Sequence, residues 1–219
     1  MVRVEDHDLS PAMARRVRAL KSEIDQGLRR LLRAGIDDGS IQSCDVSKIV
    51  TLRPAFAKDG TVTAASSSSI SDGAAAVVLM RESTAIERGL TPLARVVAYA
   101  SHAQDPAWFT TAPSGAIRKV LSRLGWTPSD IDLYEINEAF AAVAMAAIRD
   151  LELDRSRVNV SGGACALGHP IGATGARIVT TLVHALGRRH ARRGIASLCI
   201  GGGEAVALAV EIPSAARAG

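Results

Sequence analysis

The sequence predicts an α/β layered domain with a mixed sheet, because short β-type runs alternate with helical patterns from residue 74 onwards. The candidate strands are Ala74–Leu79, Ala94–Tyr99, Asp130–Ile136, Arg157–Val160, Ile195–Ile200 and Val206–Glu211. The candidate helices are Thr84–Arg88, Ser114–Leu124, Glu138–Asp150 and Gly172–Gly187. Their order gives a βαβαβαββ-type domain, in which Gly201–Gly203 predicts a hairpin between the last two strands.

The first third of the chain has a different character, and we expect a domain boundary at residues 72 and 73. Residues 1–72 read as a partial loop region, rich in Gly, Ser and Asp in its second half. Within it, residues 11–34 form a predicted basic amphipathic helix, because apolar residues recur there at three- and four-residue spacing. The predicted strand at 74–81 belongs either to the domain at 73–219 or to a separate amino-terminal domain.

Composition excludes several classes of function. The net charge is +4, yet aromatic residues are only 3% of the chain and none is interleaved with the basic clusters Arg15–Arg33 and Arg188–Arg193. This pattern disfavours nucleic-acid binding. The three cysteines have no metal-ligand spacing and fit a reducing compartment. From these cysteines we expect a cytoplasmic protein with no bound metal. Since no run of 18 apolar residues occurs, we also expect no membrane partner.

One predicted helix lacks a polar face. Residues Ala139–Ile148 are ten consecutive apolar residues, which is typical of a helix that is buried on every side. A single sheet covers only one of those sides. We therefore expect a second partner for this helix, and self-association of the chain when that partner is missing.

The segment Asn159–Gly175, NVSGGACALGHPIGATG, leads from a strand through a glycine-rich loop into a helix. His169 lies just before the amino terminus of that helix, a position that disfavours the imidazolium ion. The ring is then neutral and donates one N–H. The alternative interpretation is a structural histidine in a glycine-rich turn.

The segment Ser197–Glu211, SLCIGGGEAVALAVE, places Cys199 at the end of a strand and before three glycines. Backbone N–H groups in such a turn can bind an oxyanion, and a thiol with a suitable pKa can act as an acid or a base. The alternative is a buried cysteine before a hairpin turn.

The segment Tyr134–Ala141, YEINEAFA, places Asn137 between a strand and a helix. Asparagine is a common helix N-cap, so capping is one interpretation of this residue. The other is that its amide faces a reacting group, in which case Asn137, His169 and Cys199 converge at the carboxyl ends of neighbouring strands.

Together with Leu52–Gly73, these three segments resemble the carboxy-terminal half of the thiolase family in type, order and spacing, over about residues 45–212. The family includes acetyl-CoA acetyltransferases and 3-ketoacyl-CoA thiolases. The resemblance implies a thiolase-like layered fold with a partial loop-domain remnant. It also implies a transferase that condenses acetyl-CoA or cleaves 3-ketoacyl-CoA, as in fatty acid metabolism and β-oxidation.

The resemblance also implies roles for individual residues. His169, in GHP, corresponds to the histidine that activates the nucleophilic cysteine and donates to a thioester oxygen, and Asn137, in NEAF, to the holder of a water in that oxyanion hole. Cys199, in CIGGG, corresponds to the acid/base cysteine, and Gly201 to a glycine whose N–H forms the other oxyanion hole. Ser68 lies where the family has a serine that contacts the pantetheine of CoA. CoA thioesters are then substrates, and no cofactor is bound.

The family's nucleophile lies in an N-x-x-C-x-S-G context, which this sequence does not contain. Neither Cys44 nor Cys165 stands in such a context. Cys44 is interpreted as an ordinary, partly exposed thiol, and Cys165 as a buried small side chain, with approach to the site as the alternative. Two hypotheses follow. The chain is one half of an enzyme, completed by a complementary amino-terminal thiolase half or in a homo-oligomer. Alternatively, it is an inactive fragment or a non-enzymatic partner subunit that binds CoA thioesters.

Overall fold

The computed structural model describes Ile49 and residues 51–213. The helix predicted at 11–34 and the thiol of Cys44 lie outside these residues. The chain divides into two compact units, Met1–Ser67 and Ser68–Gly219. No helix in the described part combines the length and the apolar character that a membrane span needs.

The first unit is irregular where it is described, as its composition predicts. A short 3₁₀ turn covers Ala64–Ser66. The backbone N–H of Thr63 donates to Ser66 Oγ at 3.0 Å, and the Ser66 hydroxyl donates back to the Thr63 carbonyl at 3.3 Å.

The second unit contains a four-stranded mixed sheet, which confirms the predicted fold class. Its strands are β1 (Arg95–Ala103), β2 (Leu133–Ile136), β3 (Arg193–Cys199) and β4 (Glu204–Glu211). Its helices are α1 (Glu82–Glu87), α2 (Ala112–Leu124), α3 (Ala141–Asp150), α4 (Ala164–Leu167) and α5 (Thr174–Arg188). The strand order is β1-β4-β3-β2. Strands β2 and β3 are parallel, while β4 pairs antiparallel with β3 as the predicted hairpin and with β1 on its other side.

Each face of the sheet has its own apolar core. In β3, Ile195 packs in the core that contains Ile117 of α2, whereas the next residue, Ala196, packs in the core that contains Leu182 of α5. Successive side chains of a strand point to opposite faces, so α2 and α5 lie on opposite sides of the sheet. Both cores consist mainly of Ala, Val, Leu and Ile, as the low aromatic content requires.

The strand predicted at Ala74–Leu79 is wrong for this chain. Residues 71–80 form no regular structure, and Val78 and Leu79 are 85% and 75% exposed. A strand needs a neighbour to satisfy its backbone N–H and C=O groups, and no described strand lies alongside this segment. The alternative, that 74–81 pairs with an amino-terminal domain, stays a prediction.

The strand predicted at Arg157–Val160 is reduced to one bridge, between Val158 and Tyr134. The next residue, Asn159, has φ 49° and donates its backbone N–H to the carbonyl of Tyr134 at 2.9 Å, while its side chain completes the edge of β2. Its Oδ1 accepts from the N–H of Ile136 at 2.7 Å, and its Nδ2 donates to the carbonyl of Ile136 at 2.8 Å. The strand pairing ends there because the Asn159 side chain, and not a further backbone segment, bonds to the backbone of Ile136.

The apolar helix begins at Ala141 and not at residue 138. Three of its residues, Val143, Ala144 and Ala147, are buried, and the rest of the run 139–148 is half-buried. No residue of that run is exposed, so the exposed patch expected on this helix is not found there.

Exposed apolar surface lies instead on the α5 side of the sheet, because α5 packs mainly on β2 and β3. There Tyr99 of β1 is 71% exposed and Val206 of β4 is 41% exposed. Both line a shallow groove of about 450 Å³, together with Leu208 and residues of α5. The unpaired segment 77–80 adds four further exposed apolar side chains.

The hairpin turn between β3 and β4 supplies a stability test. Gly203 has φ +100°, and a Cβ there would overlap the carbonyl oxygen of Gln104. Gly203→Ala is expected to lower the free energy of unfolding by about 2–4 kcal/mol, because backbone strain and overlap add. Gly89→Ala is the matched control, since Gly89 has φ +62° with no atom within 4 Å of a Cβ. The Gly89→Ala control should lower the free energy of unfolding by about 1 kcal/mol, as measured by urea denaturation. Equal losses for the two variants would contradict the overlap at Gly203.

Candidate active site

Asn137 and His169 come together at the carboxyl edge of the sheet. Asn137 directly follows β2, is 1% exposed, and donates its backbone N–H to the carbonyl of Ser197 in β3 at 2.9 Å. Its Nδ2 lies 3.4 Å from His169 Nε2. Since α3 begins at Ala141 with Phe140 at the N-cap, Asn137 does not cap that helix.

The backbone of His169 is fixed by the serine-rich loop. Its N–H donates to the carbonyl of Ser69 at 2.9 Å, and its own carbonyl accepts from Ser71 at 3.4 Å. The preceding residue, Gly168, has φ +93°, and a Cβ there would overlap the hydroxyl of Ser71. Glycine is therefore required for the loop and the histidine to approach each other.

The pKa of His169 is lowered, which favours the neutral ring that the sequence predicts, although the causes are burial and Arg177 and not the helix terminus. Burial lowers its pKa most, and the positive charge of Arg177 lowers the pKa further. The second ring nitrogen, Nδ1, lies 2.7 Å from Thr174 Oγ1 in the first turn of α5. The ring is thus held from both sides, by Asn137 and by Thr174.

An ion pair that the sequence analysis missed lies behind this site. Arg177 of α5 donates through Nη1 to Glu135 Oε1 at 3.0 Å and through Nη2 to Asn137 Oδ1 at 3.2 Å. Glu135 is 2% exposed, and burial raises its pKa to about 7 against the opposing effect of Arg177. A signal was present, because a glutamate inside an apolar strand requires a buried cationic partner.

Glu138 is a second residue that the sequence analysis missed. Its Oε1 accepts from Asn159 Nδ2 at 2.9 Å and its Oε2 accepts from the N–H of Cys165 at 3.3 Å. A Cβ at Gly163 would overlap this carboxylate. Glu138 therefore ties the start of the glycine-rich loop to β2.

Cys165 is half-buried in α4, and so is less buried than the sequence analysis expected. Its thiol lies 3.7 Å from the carbonyl of Glu138, a long contact for a weak donor. Burial and the nearby Glu138 carboxylate raise its pKa to about 12. At neutral pH this thiol is protonated, so it is a poor nucleophile.

Cys199 ends β3 at the same edge of the sheet as Asn137, because β2 and β3 are parallel. It is buried in the core on the α2 face, whereas the Asn137 side chain reaches Arg177 of α5. Among the described residues, no other side chain forms a hydrogen bond with this thiol. Burial raises its pKa to about 11. The convergence of Cys199 with Asn137 and His169 stays a prediction.

The two remaining candidates occupy loops. Gly201 is exposed in the turn that joins β3 to β4, and no atom lies within 4 Å of a Cβ placed there. Ser68 uses its hydroxyl internally, donating to the carbonyl of Ala139 at 2.9 Å, while its N–H donates to the same oxygen at 3.1 Å. Oxyanion binding by Gly201 and CoA binding by Ser68 stay predictions.

Known proteins are similar to this chain in sequence and in fold. Residues 90–212 match the family described as thiolase, C-terminal domain, and residues 20–83 match thiolase, N-terminal domain. The acetyl-CoA acetyltransferase of Allochromatium vinosum is 58% identical over 160 residues, which are 73% of this chain and 41% of that protein. The acetyl-CoA acetyltransferase of Cupriavidus necator is 55% identical over 170 residues, 78% of this chain and 43% of that protein. The chain thus spans about two fifths of the length of these relatives.

Solved structures agree with these matches. The acetyl-CoA acetyltransferase of Bacillus anthracis superposes with a TM-score of 0.78 at 42% identity, covering 88% of this chain and 55% of that one. Human mitochondrial 3-ketoacyl-CoA thiolase in complex with CoA superposes with a TM-score of 0.77 at 35% identity, covering 89% and 55%. The family match over more than half of the chain and the shared fold lead to one conclusion: this chain belongs to the thiolase family.

Proposed function

We propose that this chain supplies the acid/base half of a thiolase-type acyltransferase site. The completed site condenses two acetyl-CoA molecules in a Claisen reaction or cleaves 3-ketoacyl-CoA by thiolysis, with CoA thioesters as substrates and no bound cofactor. The observation that carries the proposal is the contact between buried Asn137 and half-buried His169, whose lowered pKa favours a neutral ring at the carboxyl edge of the sheet. The acetyl-CoA acetyltransferases that match at 55–58% identity support the choice of substrate.

The first step is acyl transfer to a cysteine of the complementary amino-terminal half. The nucleophilic thiol gives its proton to His169, its sulfur bonds to the acyl carbon, and the bond from that carbon to the CoA sulfur breaks. Cys199 starts as a thiol, because its pKa is raised to about 11. It gives its proton to the departing CoA thiolate and becomes a thiolate itself.

The second step forms the carbon–carbon bond. The Cys199 thiolate takes an α-proton from a second acetyl-CoA, and the enolate oxygen accepts hydrogen bonds from the His169 imidazolium and a water held by Asn137. The enolate carbon attacks the enzyme-bound acyl group, whose bond to sulfur breaks. The released thiolate recovers its proton from His169, so the histidine and both thiols end as they began.

The exposed apolar surfaces support a complementary partner. The groove beside Tyr99 and Val206 and the unpaired segment 77–80 are both apolar and lie in the same unit as the site. An extended segment with free backbone groups suits pairing with a strand of another domain. We propose that an amino-terminal thiolase half covers these surfaces and brings the nucleophilic cysteine.

Reconstitution tests the proposed function directly. The chain is mixed with the amino-terminal half of a related acetyl-CoA acetyltransferase, and the loss of acetoacetyl-CoA on addition of CoA is followed by its absorbance. We expect thiolysis with the mixture and none with either half alone, because each half lacks groups that the other supplies. The control omits CoA.

The alternative is an inactive fragment or a non-enzymatic partner that binds CoA thioesters. It predicts that the two halves associate and fold without turnover. Association shown by sedimentation, combined with no thiolysis, would therefore remove the proposed function.

The role of Cys199 is tested in the reconstituted enzyme. Cys199→Ala should lower the condensation rate by about 10²–10⁴-fold, since general acid/base catalysis contributes that much. Cys165→Ala is the matched control, because it removes a thiol of α4 that is also protonated at neutral pH, and should keep the rate within about twofold. A similar loss in both variants would contradict the assignment of Cys199.

The exposed groove predicts the behaviour of the chain on its own. We expect self-association in light scattering, since the groove and the segment 77–80 both expose apolar side chains, and large exposed apolar surface favours association. Val206→Lys should reduce the average mass towards that of the monomer. Ser122→Lys, on the exposed side of α2, adds the same charge and should change nothing. A monodisperse monomer of the unmodified chain would exclude this expectation.

A further inference from the structure

A continuous set of hydrogen bonds links Arg177 to the backbone of the glycine-rich loop through the His169 ring. Arg177 Nη2 lies 3.2 Å from Asn137 Oδ1, and Asn137 Nδ2 lies 3.4 Å from His169 Nε2. On the other side of the ring, Nδ1 lies 2.7 Å from Thr174 Oγ1, which lies 3.0 Å from the carbonyl of Pro170. The direction of each bond follows from the groups at the two ends.

Arg177 fixes the direction at one end. A guanidinium group only donates hydrogen bonds, so the Asn137 atom that faces it is the amide oxygen. The NH₂ group of Asn137 then faces His169 and donates to Nε2. The reversed amide would bring two donors together at Arg177. Glu135 holds the other side of the guanidinium at 3.0 Å, so Arg177 itself has little freedom to turn away.

The carbonyl of Pro170 fixes the direction at the other end. A carbonyl oxygen only accepts, so the single hydroxyl proton of Thr174 points to it. Thr174 Oγ1 is then an acceptor towards His169, and Nδ1 carries the ring proton. The hydrogen bonds on the two sides of the ring therefore require the same tautomer, in which Nδ1 is protonated and Nε2 is unprotonated.

We propose that Arg177 and Thr174 are positioning residues that hold neutral His169 in its Nδ1–H tautomer, so that Nε2 acts first as a base. This proposal rests on the proposed function for its catalytic meaning. Nε2 takes the proton of the nucleophilic thiol in place of the hydrogen bond from Asn137, and only then does the resulting imidazolium present an Nε2–H to the enolate oxygen. The network therefore orders the two roles of one nitrogen: proton acceptor before hydrogen-bond donor.

Nitrogen NMR of the intact chain, labelled with ¹⁵N-histidine, tests the tautomer without any turnover. The chain has five histidines, and His169→Gln identifies the resonances of this one. At about pH 8.5, well above the ordinary histidine pKa, the two ring nitrogens of a neutral histidine differ strongly in chemical shift. We expect the Nδ1–H form to exceed the Nε2–H form by about tenfold, which one retained hydrogen bond of ordinary strength provides.

Paired variants separate positioning from folding. Thr174→Val removes the acceptor of Nδ1–H, and Arg177→Met frees the Asn137 amide to turn; each should reduce the Nδ1–H excess by at least about threefold. Thr174→Ser keeps a hydroxyl, and Arg177→Lys keeps a cationic donor. Each of these variants should therefore retain most of the Nδ1–H excess. Thr180→Val makes the same change elsewhere on α5, where the hydroxyl donates to the Ala176 carbonyl, and should leave the ratio unchanged.

Each outcome has a defined meaning. An Nε2–H form that dominates in the unmodified chain overturns the proposal, as does a ratio that does not move in folded Thr174→Val and Arg177→Met. If either apolar variant fails to fold, its conservative partner decides: a ratio in Thr174→Ser or Arg177→Lys far from that of the unmodified chain contradicts the assigned bonds.

The test also distinguishes this proposal from the proposed function. A dominant Nδ1–H form without thiolysis in the reconstituted enzyme would remove the function and leave the positioning intact. Thiolysis with a dominant Nε2–H form would remove the positioning proposal and leave the proposed function intact.

Discussion

The ion pair between Glu135 and Arg177 is the interaction on which the candidate site depends. Removing a carboxylate and a guanidinium from water costs several kcal/mol for each ion, and close pairing recovers that cost only in part. The pKa of Glu135, raised from 4.5 to about 7, shows that burial outweighs the attraction of Arg177. A raised pKa means that the carboxyl group stabilises the fold fully below about pH 4.5 and loses that contribution as pH rises through about 7.

The ion pair is therefore better explained by its role in positioning the Asn137 amide than by a contribution to the stability of the fold. Arg177 is half-buried one turn into α5, where it reaches both the end of β2 and the amide of Asn137. Glu135 fixes the guanidinium, the guanidinium fixes the amide, and the amide faces the ring of His169. A neutral apolar pair of the same volume would fill the core equally well but would leave the Asn137 amide free to turn.

The sequence predicted the sheet, its hairpin and the residues at its carboxyl edge, because each of these depends on local pattern or on a contiguous motif. Asn137 and His169 were found in this way, and the structure joins them. Thr174 was missed although its partners, His169 and Pro170, are only five and four positions away. Glu135 and Arg177 were missed because their contacts connect residues about forty positions apart, which no local pattern records. The strand expected at 74–79 failed for a related reason. Its apolar residues have strand character, but a strand also requires a neighbour that this part of the chain does not supply.

The uncovered face and the candidate site share one helix. The groove beside Tyr99 and Val206 is also lined by Gly175 and Ile178 of α5, which alternate with Thr174 and Arg177 along the same two turns. The groove further includes Ser197, whose carbonyl accepts the N–H of Asn137. A protein segment seated in the groove therefore contacts the same turns that carry the two residues holding His169. Covering this face excludes water from the outer side of those turns and strengthens the electrostatic interactions within them. Under the proposed function, a partner seated in this groove would link association to the geometry of the site through α5 and would rigidify the residues that hold His169.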